Sequence, residues 1–433
     1  MAMEIPVATT RDIIMRKETV SLFTGRRGPG ILLLSLLLAL GTYPMMLPLF
    51  RGHLQTYLSI DDGRFGFLFG VGPLMAAATA LAGGSLIERF GVERTIGWCL
   101  RGLAVAMIII ALAGSQWLVI AAGLMLYNVF IGPLNIAANV KLVGIFPNHR
   151  RQVLALELAV IGAGGMLLPL IGELLLMCSS RFPAVHFSYI FHGPVLVIAV
   201  IFGLASSLYR RPEKTVRPRG EAGGGLRSFR LSLPMWGLVI LCGMHGASDA
   251  ALYSWMPKFL DGRSFAVHPL APGVVLAGFS LAYLVARGLF SLLPERYGRY
   301  YFMVLPGILG GTTLWCGIFS GSYWPAVGGY ILGGWLWSSE YPTFLGMLAK
   351  CDRSRFSTAM ALIQVAGGLF TSGAMFGMGQ VAVLVGDANL ACVLAIPAGG
   401  FVLVGLGGLC WLWYCRRPTA TPAVGCSGAA PAQ

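Results

Sequence analysis

Charged residues are scarce in this sequence. Only 11% of its 433 residues are Asp, Glu, Lys or Arg, whereas a soluble globular domain carries about a quarter. Hydrophobic residues make up 56% and the mean hydropathy is +0.76. Apolar runs of about 20 residues, the length that a helix needs to cross a bilayer, recur along the chain. The composition excludes a water-soluble domain and predicts an all-α membrane protein.

Signatures of redox, metal and catalytic chemistry are also missing. The nine cysteines are scattered and none forms a CxxC pair, which argues against a disulfide framework or a zinc site. No nucleophile–base pattern, phosphate loop or metal-ligand spacing is present, so we expect neither an enzyme nor a bound cofactor. Residues 1–29 lack the apolar core of a signal peptide, and we interpret them as a cytoplasmic tail.

The basic residues that are present lie mostly between the apolar runs. A net charge of +14 could suit a nucleic-acid partner, but no nucleic-acid motif accompanies it and the position of the charges argues against that partner. With both termini inside, the cytoplasmic segments hold 23 Lys and Arg residues, the outer loops 5 and the spans 3, out of 31. This bias follows the positive-inside rule and predicts that orientation.

The apolar runs predict twelve transmembrane helices. Their expected ranges are 30–50, 65–87, 95–114, 117–141, 153–177, 187–208, 233–257, 270–293, 301–320, 323–348, 356–380 and 389–414. A flexible basic linker, residues 210–232, separates two six-helix bundles, residues 30–209 and 233–414, and a disordered tail follows at 415–433. The bilayer is the expected partner, and a monomer is compatible with this arrangement.

A short motif recurs between equivalent spans of the two halves. The loop after the second span contains Gly84, Glu88, Arg89, Gly91 and Arg94, and the loop after the eighth contains Glu295, Arg296 and Gly298. Glu-Arg-aromatic-Gly thus repeats at an offset of 207 residues. A tight loop between two helices needs the backbone freedom of glycine, and glycine at the start of the motif permits close helix contact.

The first copy resembles the signature loop of the major facilitator superfamily, G-x-L-x-D-R-x-G-R-[RK]. Glu88 stands for the usual aspartate, and Glu93 replaces the usual basic residue. The resemblance implies two pseudo-symmetric six-helix halves that rock around a central site. It also implies that the motif holds the inner gate and does not touch substrate.

Two stretches resemble the fucose and glucose permease-like sugar porters within that superfamily. They are Ala137-Ala138-Asn139 in the fourth span and Pro342-Thr343 in the tenth. Asn135 and Pro44, however, stand where those porters carry acids. Proton–sugar coupling through those acids is therefore not implied for this chain.

Three ionisable residues lie deep in the seventh and tenth spans. They are His245, Asp249 and Glu340. Each ionised group near the bilayer centre costs about 2.5–3.5 kcal/mol on insertion scales, so it needs a reason to be there. His245 and Asp249 are four residues apart and share one helix face. We expect a substrate or coupling-ion site here; the alternative is a polar clamp between helices.

Further polar residues extend this prediction. Asn128, Asn135 and Asn139 form one stripe of the fourth span, which should face the cavity, opposite the acids, or a helix contact. Arg287 in the eighth span could snorkel to the surface, bind a carboxylate on a neighbouring helix, or receive an anionic substrate.

Lys141 and Glu157 flank the loop between the fourth and fifth spans at similar depths. Neighbouring antiparallel helices would bring the two side chains together. We expect a buried ion pair with a structural role near the inner gate.

The resemblance implies a secondary active or facilitated transporter of a small polar solute. It leaves open whether protons or another ion are coupled, for example by symport, and it suggests a bacterial-type inner membrane. An alternative cargo is a divalent metal, for which His245, Asp249, Glu340 and Met244 offer suitable ligands. A non-transporting receptor or scaffold should carry an appended domain or a large outer loop, and the sequence shows neither.

The charge bias makes a topology prediction. Reporter fusions or accessibility labels at Ala222 and Ala430 should report a cytoplasmic location, because the linker and the C-terminal tail both follow the positive-inside rule. An outside-facing signal at either position would refute the orientation.

Overall fold

The computed structural model of the chain describes residues 27–36, 41, 47–145, 150–182, 186–209, 231–261, 270–292, 301–351 and 356–416. Within these ranges the regular secondary structure is helical. Ten of the helices are long and apolar enough to cross a membrane. The predicted class, an all-α membrane protein, is confirmed.

Fourteen α-helices are assigned in the described ranges. They are α1 (Arg27–Leu36), α2 (Arg51–Leu58), α3 (Asp62–Phe90), α4 (Val92–Leu112), α5 (Trp117–Ile145), α6 (Arg150–Arg181), α7 (Phe187–Ser207), α8 (Leu233–Asp261), α9 (Pro272–Leu292), α10 (Tyr301–Phe319), α11 (Tyr323–Trp337), α12 (Glu340–Cys351), α13 (Phe356–Val385) and α14 (Leu390–Arg416). We call α1–α7 the first half and α8–α14 the second half.

One of the twelve predicted spans is interrupted, and another is described only in part. Of the first span, expected at 30–50, the structure describes residues 30–36, 41 and 47–50, and α2 begins after its predicted end. The tenth, expected as one helix over 323–348, is interrupted at Ser338 and Ser339, so that prediction is wrong. The Ser338 hydroxyl donates to the carbonyl of Trp335 at 2.9 Å, and such side-chain bonds compete with the helical backbone. The interruption places Glu340 at the start of α12.

Helix pairing is repeated in the two halves. In the first half α4 packs against α5 and α7, and in the second half the equivalent α10 packs against α11 and α14. The pair α3–α5 likewise corresponds to α9–α11. This is the parallel repeat of two six-helix units that the recurring motif predicted.

The halves meet along α3 with α13 and along α6 with α9. Small residues permit the approach. A Cβ atom on Gly66 would lie 2.8 Å from the carbonyl oxygen of Met375, and one on Gly368 would lie 2.5 Å from that of Pro73. Close backbone contact of this kind is how helices associate in lipid, where no hydrophobic force drives them together.

The signature loop is the turn between α3 and α4. Gly91 has φ +84° and ψ 155°, a conformation that is essentially restricted to glycine. Arg89 and Arg94 are exposed, and the Arg89 guanidinium lies 5.2 Å from the Phe90 ring centroid. Gly84 and Glu88 lie on α3, but their surroundings are not described, and the second copy with Glu295, Arg296 and Gly298 lies outside the described residues. The gate role of the motif stays a prediction.

Lys141 pairs with the residue that departs from the signature. Its Nζ atom lies 2.8 Å from Oε1 of Glu93 and 5.1 Å from the Tyr209 ring centroid. Burial, followed by the Glu93 charge, raises the pKa of the Tyr209 phenol. The side chain of Glu157, the predicted partner, lies outside the described residues, so that pair stays a prediction. The observed pair joins α4 to α5, beside Tyr209, which follows the C-terminal end of α7.

The Gly91 turn makes a stability prediction. Gly91→Ala should lower the free energy of unfolding by about 1–3 kcal/mol, because the backbone conformation rather than space excludes a side chain: no atom lies within 4 Å of the added Cβ. Thermal unfolding of the purified protein in detergent measures the change.

Gly193→Ala is the matched control. This glycine lies inside α7 and its added Cβ also meets nothing within 4 Å, so the substitution should be neutral or stabilising by up to about 1 kcal/mol. Equal effects of the two substitutions would contradict the argument.

Candidate functional site

Side chains of three elements in the second half converge on one buried cluster. Helix α8 contributes His245 and Asp249, one turn apart, and α9 contributes Tyr283 and Arg287 with the same spacing. The interrupted span α11–α12 contributes Glu340. Discontinuous helices with exposed half-helix ends are a recurrent way to build transport sites at the bilayer midplane.

Glu340 and His245 form the most deeply buried part of the cluster. His245 Nδ1 lies 2.9 Å from Glu340 Oε2, with side-chain exposures of 2% and 0%. Oε1 of Glu340 packs against α10, where a Cβ on Gly307 would lie 2.5 Å from it. The rings of Tyr341 and Phe401 have centroids 5.9 Å and 5.5 Å from that of His245. An unpaired charge in such surroundings is very costly, so the contact between the two side chains favours their being buried together.

Asp249 is held at the side of this pair and is only half-buried. Trp337 Nε1 donates to Asp249 Oδ1 at 3.3 Å, and the Tyr283 hydroxyl is near enough to interact with the same carboxylate. The same hydroxyl lies 3.5 Å from His245 Nε2. Tyr283 therefore lies between Asp249 and the His245–Glu340 pair.

Arg287 lies beside the cluster rather than at the membrane surface. Its guanidinium carbon is 4.2 Å from the Tyr283 ring centroid, and its Nε atom lies 3.5 Å from the carbonyl oxygen of Ser338. That oxygen is at the C-terminal end of α11, where a cation is favoured by the helix dipole. Of the three roles predicted for Arg287, the structure favours contacts within the protein over snorkelling.

The structure thus brings together four of the predicted site residues and adds Tyr283 and Trp337, which the sequence analysis did not single out. A signal for Tyr283 was available. It precedes Arg287 by four residues in the eighth span, as His245 precedes Asp249 in the seventh. For Trp337 no comparable pattern exists.

The asparagine stripe is divided between two environments. Asn128 donates to the carbonyl of Leu124 at 2.8 Å and fills the space over Gly72 of α3, so it lies at a helix contact. Asn139 donates to Oδ1 of Asn135 at 3.0 Å, and both are half-buried. No contact between the stripe and the acid cluster occurs within the described part of the chain. That the stripe faces the acids stays a prediction.

The metal alternative receives no support from the geometry. In the ranges that the structure describes, no three His, Cys, Asp or Glu side chains are grouped so that they could hold a metal ion.

A second polar cluster joins the two halves at the face opposite the α3–α4 turn, which is the predicted outer face. Asp62 of the first half accepts from Arg51 at 2.9 Å and also pairs with Lys258 of the second half. Lys258 further contacts Asp387 at 2.8 Å. The Arg51 guanidinium, 1% exposed, lies 3.5 Å from the ring centroid of Trp255 in the second half.

A second contact at the predicted outer face joins α6 of the first half to α9 of the second half. Glu173 of α6 accepts from the backbone N–H of Gly273 at 3.2 Å, at the N-terminal end of α9, where a negative charge is favoured. Deeper in the membrane, the carbonyl of Gly165 accepts from the Ser280 hydroxyl at 3.0 Å. Among the described residues, the polar contacts between the halves therefore extend from the midplane to the predicted outer face, which is closed in this conformation.

Two six-helix repeats around a buried ionisable cluster, joined at one face by breakable polar contacts, define the class of membrane transport proteins that work by alternating access. A sequence model of the Major Facilitator Superfamily matches residues 31–271, which is more than half of the chain. The chain belongs to this superfamily. It is not an enzyme family. A comparison with curated proteins gives no match.

Solved structures of the superfamily share the fold across most of the chain. The nucleoside transporter NupG is 12% identical, with a TM-score of 0.66, over 89% of this chain and 99% of its own. A mutant of the E. coli fucose:proton symporter FucP is 15% identical, with a TM-score of 0.58, over 89% and 97%. A structure of proton dependent oligopeptide transporters is 12% identical, with a TM-score of 0.67, over 89% and 96%. At these identities the similarity shows the fold alone.

The outer cluster makes a prediction about accessibility. Asp62→Asn should loosen the closed outer face, because it leaves Arg51 and Lys258 without their shared carboxylate. Breaking a buried pair costs about 3–5 kcal/mol. Each 1.4 kcal/mol or so by which the closed conformation is destabilised raises the population of the open conformation about tenfold. A cysteine introduced at the buried Ser254, one turn from Lys258, should then react with an impermeant maleimide roughly 10²-fold faster or more.

Asp387→Asn provides the control, since it removes the other carboxylate from Lys258 by the same chemical change. Its side chain is 67% exposed, and an exposed pair contributes about 0–1 kcal/mol. Labelling should therefore rise by no more than about fivefold. An equal response to both substitutions would argue that Asp62 does not hold this face closed.

Proposed function

We propose that this superfamily member is a proton-coupled transporter that moves a small polar solute by alternating access. The observation that carries the proposal is the buried Glu340–His245 pair, at 2.9 Å, linked to the half-buried Asp249. The substrate site lies in the central space between the halves, and the cluster lies at its edge in the second half.

The energetic argument concerns the two acids. Polar contacts between membrane helices stabilise a fold by only about 0.6 kcal/mol on average, whereas an acid at the centre of a span costs about 2.5–3.5 kcal/mol to insert. Stability alone therefore does not account for Glu340 and Asp249. Taking up and releasing a proton does, because burial favours the neutral form of an acid and exposure of the site favours its ionised form.

The half-buried polar groups fit a polar solute. Hydrogen-bond donors and acceptors are available in both halves. The second half supplies an acid, Asp249, and a cation, Arg287, and the first half supplies the neutral amides of Asn135 and Asn139. Two of the similar structures are titled as a fucose:proton symporter and as proton dependent oligopeptide transporters. Those titles describe other proteins, and they support proton coupling here only as a property that this fold can host.

We place the protein in a bacterial-type inner membrane with both termini in the cytoplasm. The support for this orientation is the bias of 23 inner to 5 outer Lys and Arg residues. In this orientation the closed outer face described above excludes the external solution from the acid cluster.

The proposal is tested by Glu340→Gln and Asp249→Asn. A solute is first chosen as the one that most raises the unfolding temperature in a screen of sugars, nucleosides, short peptides and organic anions; a true ligand at a hundredfold excess over its Kd stabilises by about 2.7 kcal/mol. Uptake driven by a proton gradient should fall at least tenfold in both variants. Counterflow exchange, which needs no net proton movement, should persist.

Asp387→Asn, which neutralises an exposed acid outside the cluster, should retain both activities. Wild-type uptake by well-expressed Glu340→Gln and Asp249→Asn over a range of pH would make the two acids structural and overturn the proposal. Loss of both uptake and exchange would instead assign them to solute binding.

A further inference from the structure

We propose that Tyr283 relays protons between Asp249 and the buried Glu340–His245 pair. The inference rests on the proton-coupled function proposed above and deepens it by giving the two acids different tasks. Asp249 exchanges protons with the central space, and Glu340 stores the proton out of contact with solute.

The difference in burial separates the two acids. Asp249 is half-buried, whereas the Glu340 side chain is 0% exposed. One oxygen of Glu340 faces His245 Nδ1 at 2.9 Å and the other packs against Gly307. A proton can reach Glu340 through the described structure by way of His245.

His245 in turn has one polar neighbour on its other nitrogen. Nε2 lies 3.5 Å from the Tyr283 hydroxyl, while the rings of Tyr341 and Phe401 cover the imidazole. The Tyr283 hydroxyl is also near enough to the Asp249 carboxylate to interact with it. A hydroxyl both donates and accepts, so it can take a proton from one neighbour and give its own to the other.

The transfer balances without any further reactant. Protonated Asp249 gives its proton to the Tyr283 oxygen, and the tyrosine gives its own proton to His245 Nε2. The Nδ1–H proton of His245 then passes to Glu340 Oε2. Asp249 ends ionised, Glu340 ends neutral, His245 has exchanged tautomers, and Tyr283 is a hydroxyl again. The reverse sequence returns the proton to the central space.

Other titratable and charged groups surround this path. They are Cys242 and Tyr253 on α8, Arg287 on α9, Tyr330 on α11 and Tyr341 on α12. From α10 and α14 the described neighbours are Gly307 and Phe401, which carry no charge. Arg287 is permanently cationic and disfavours a doubly protonated His245. The imidazole therefore passes a proton on rather than storing it.

Tyr283→Phe removes only the relaying oxygen. The ring that packs against Phe279, with centroids 5.4 Å apart, and under Arg287 is retained. Tyr330→Phe is the matched control. Tyr330 is fully buried on α11 and stacks on Phe279 with centroids 4.3 Å apart, but its hydroxyl has no hydrogen-bond partner among the described residues.

The experiment follows the proton on Glu340 by infrared spectroscopy of the full-length protein in lipid. The carbonyl stretch of protonated Glu340 is assigned as the band that Glu340→Gln removes, and its downshift on transfer to D2O gives the exchange rate. Tyr283→Phe should slow this exchange about 10²-fold, the scale on which positioned proton donors act. Tyr330→Phe should exchange at the wild-type rate.

Equal exchange in the two phenylalanine variants would overturn the relay, and so would the absence of any acid band that Glu340→Gln removes. If Tyr283→Phe does not fold, Asp249→Asn takes its place. It should slow the exchange of the Glu340 proton, because it removes the acid from which Tyr283 receives protons. Two further outcomes separate the relay from the proposed function. If Tyr283→Phe slows exchange but uptake by the wild-type protein does not respond to a pH gradient, the relay stands and proton coupling is refuted. If Tyr283→Phe exchanges at the normal rate and wild-type uptake is driven by the gradient, the relay alone is refuted.

Discussion

The free-energy cost of an ionised group in hydrocarbon governs where the charges of this protein lie. Within the described spans, each buried charge is accommodated by a specific partner. Lys141 meets Glu93 at 2.8 Å, Arg287 meets the carbonyl end of α11, and Asp62 pairs with cations from both halves. Such pairs contribute little to stability compared with well-packed apolar residues. These pairs lie at helix ends, at the junction of the halves and beside one buried cluster, where each charge has a partner within reach.

Hydropathy and residue spacing predicted much of this arrangement. The spans, the repeat, and the grouping of His245 with Asp249 all follow from periodicity, because membrane helices must satisfy their backbone internally. The interruption before Glu340 could not be predicted in this way. Ser254 also donates its hydroxyl to the carbonyl four residues earlier, at 2.8 Å, yet α8 continues through it. Tertiary contacts distinguish the interrupted helix from the continuous one. At the interruption, Arg287 donates to the Ser338 carbonyl, and Trp337 stacks on Phe401 with centroids 4.0 Å apart.

The partner of Lys141 shows a different limit of sequence reasoning. Depth along neighbouring helices predicts Glu157, whose side chain lies outside the described residues, but it did not predict the contact with Glu93 that the structure describes. Glu93 had already drawn notice as an acid where the superfamily signature has a basic residue. Its pairing with Lys141 gives that departure a physical explanation, because the exchanged charge is neutralised inside the same half. A departure from a motif is thus a clue to a compensating partner elsewhere in the chain.

The two polar clusters divide the work of transport in space. The Asp62 cluster joins the halves, so any opening of the outer face must separate Asp62 from Lys258. The Glu340 cluster lies wholly within the second half, so rocking of the halves leaves its internal hydrogen bonds intact. Rigid-body motion can then change the access of Asp249 to solution without disturbing the Glu340–His245 pair. Proton coupling as proposed requires only that the protonation of Asp249 respond to which face is open, while the fully buried Glu340 acts as the proposed proton store.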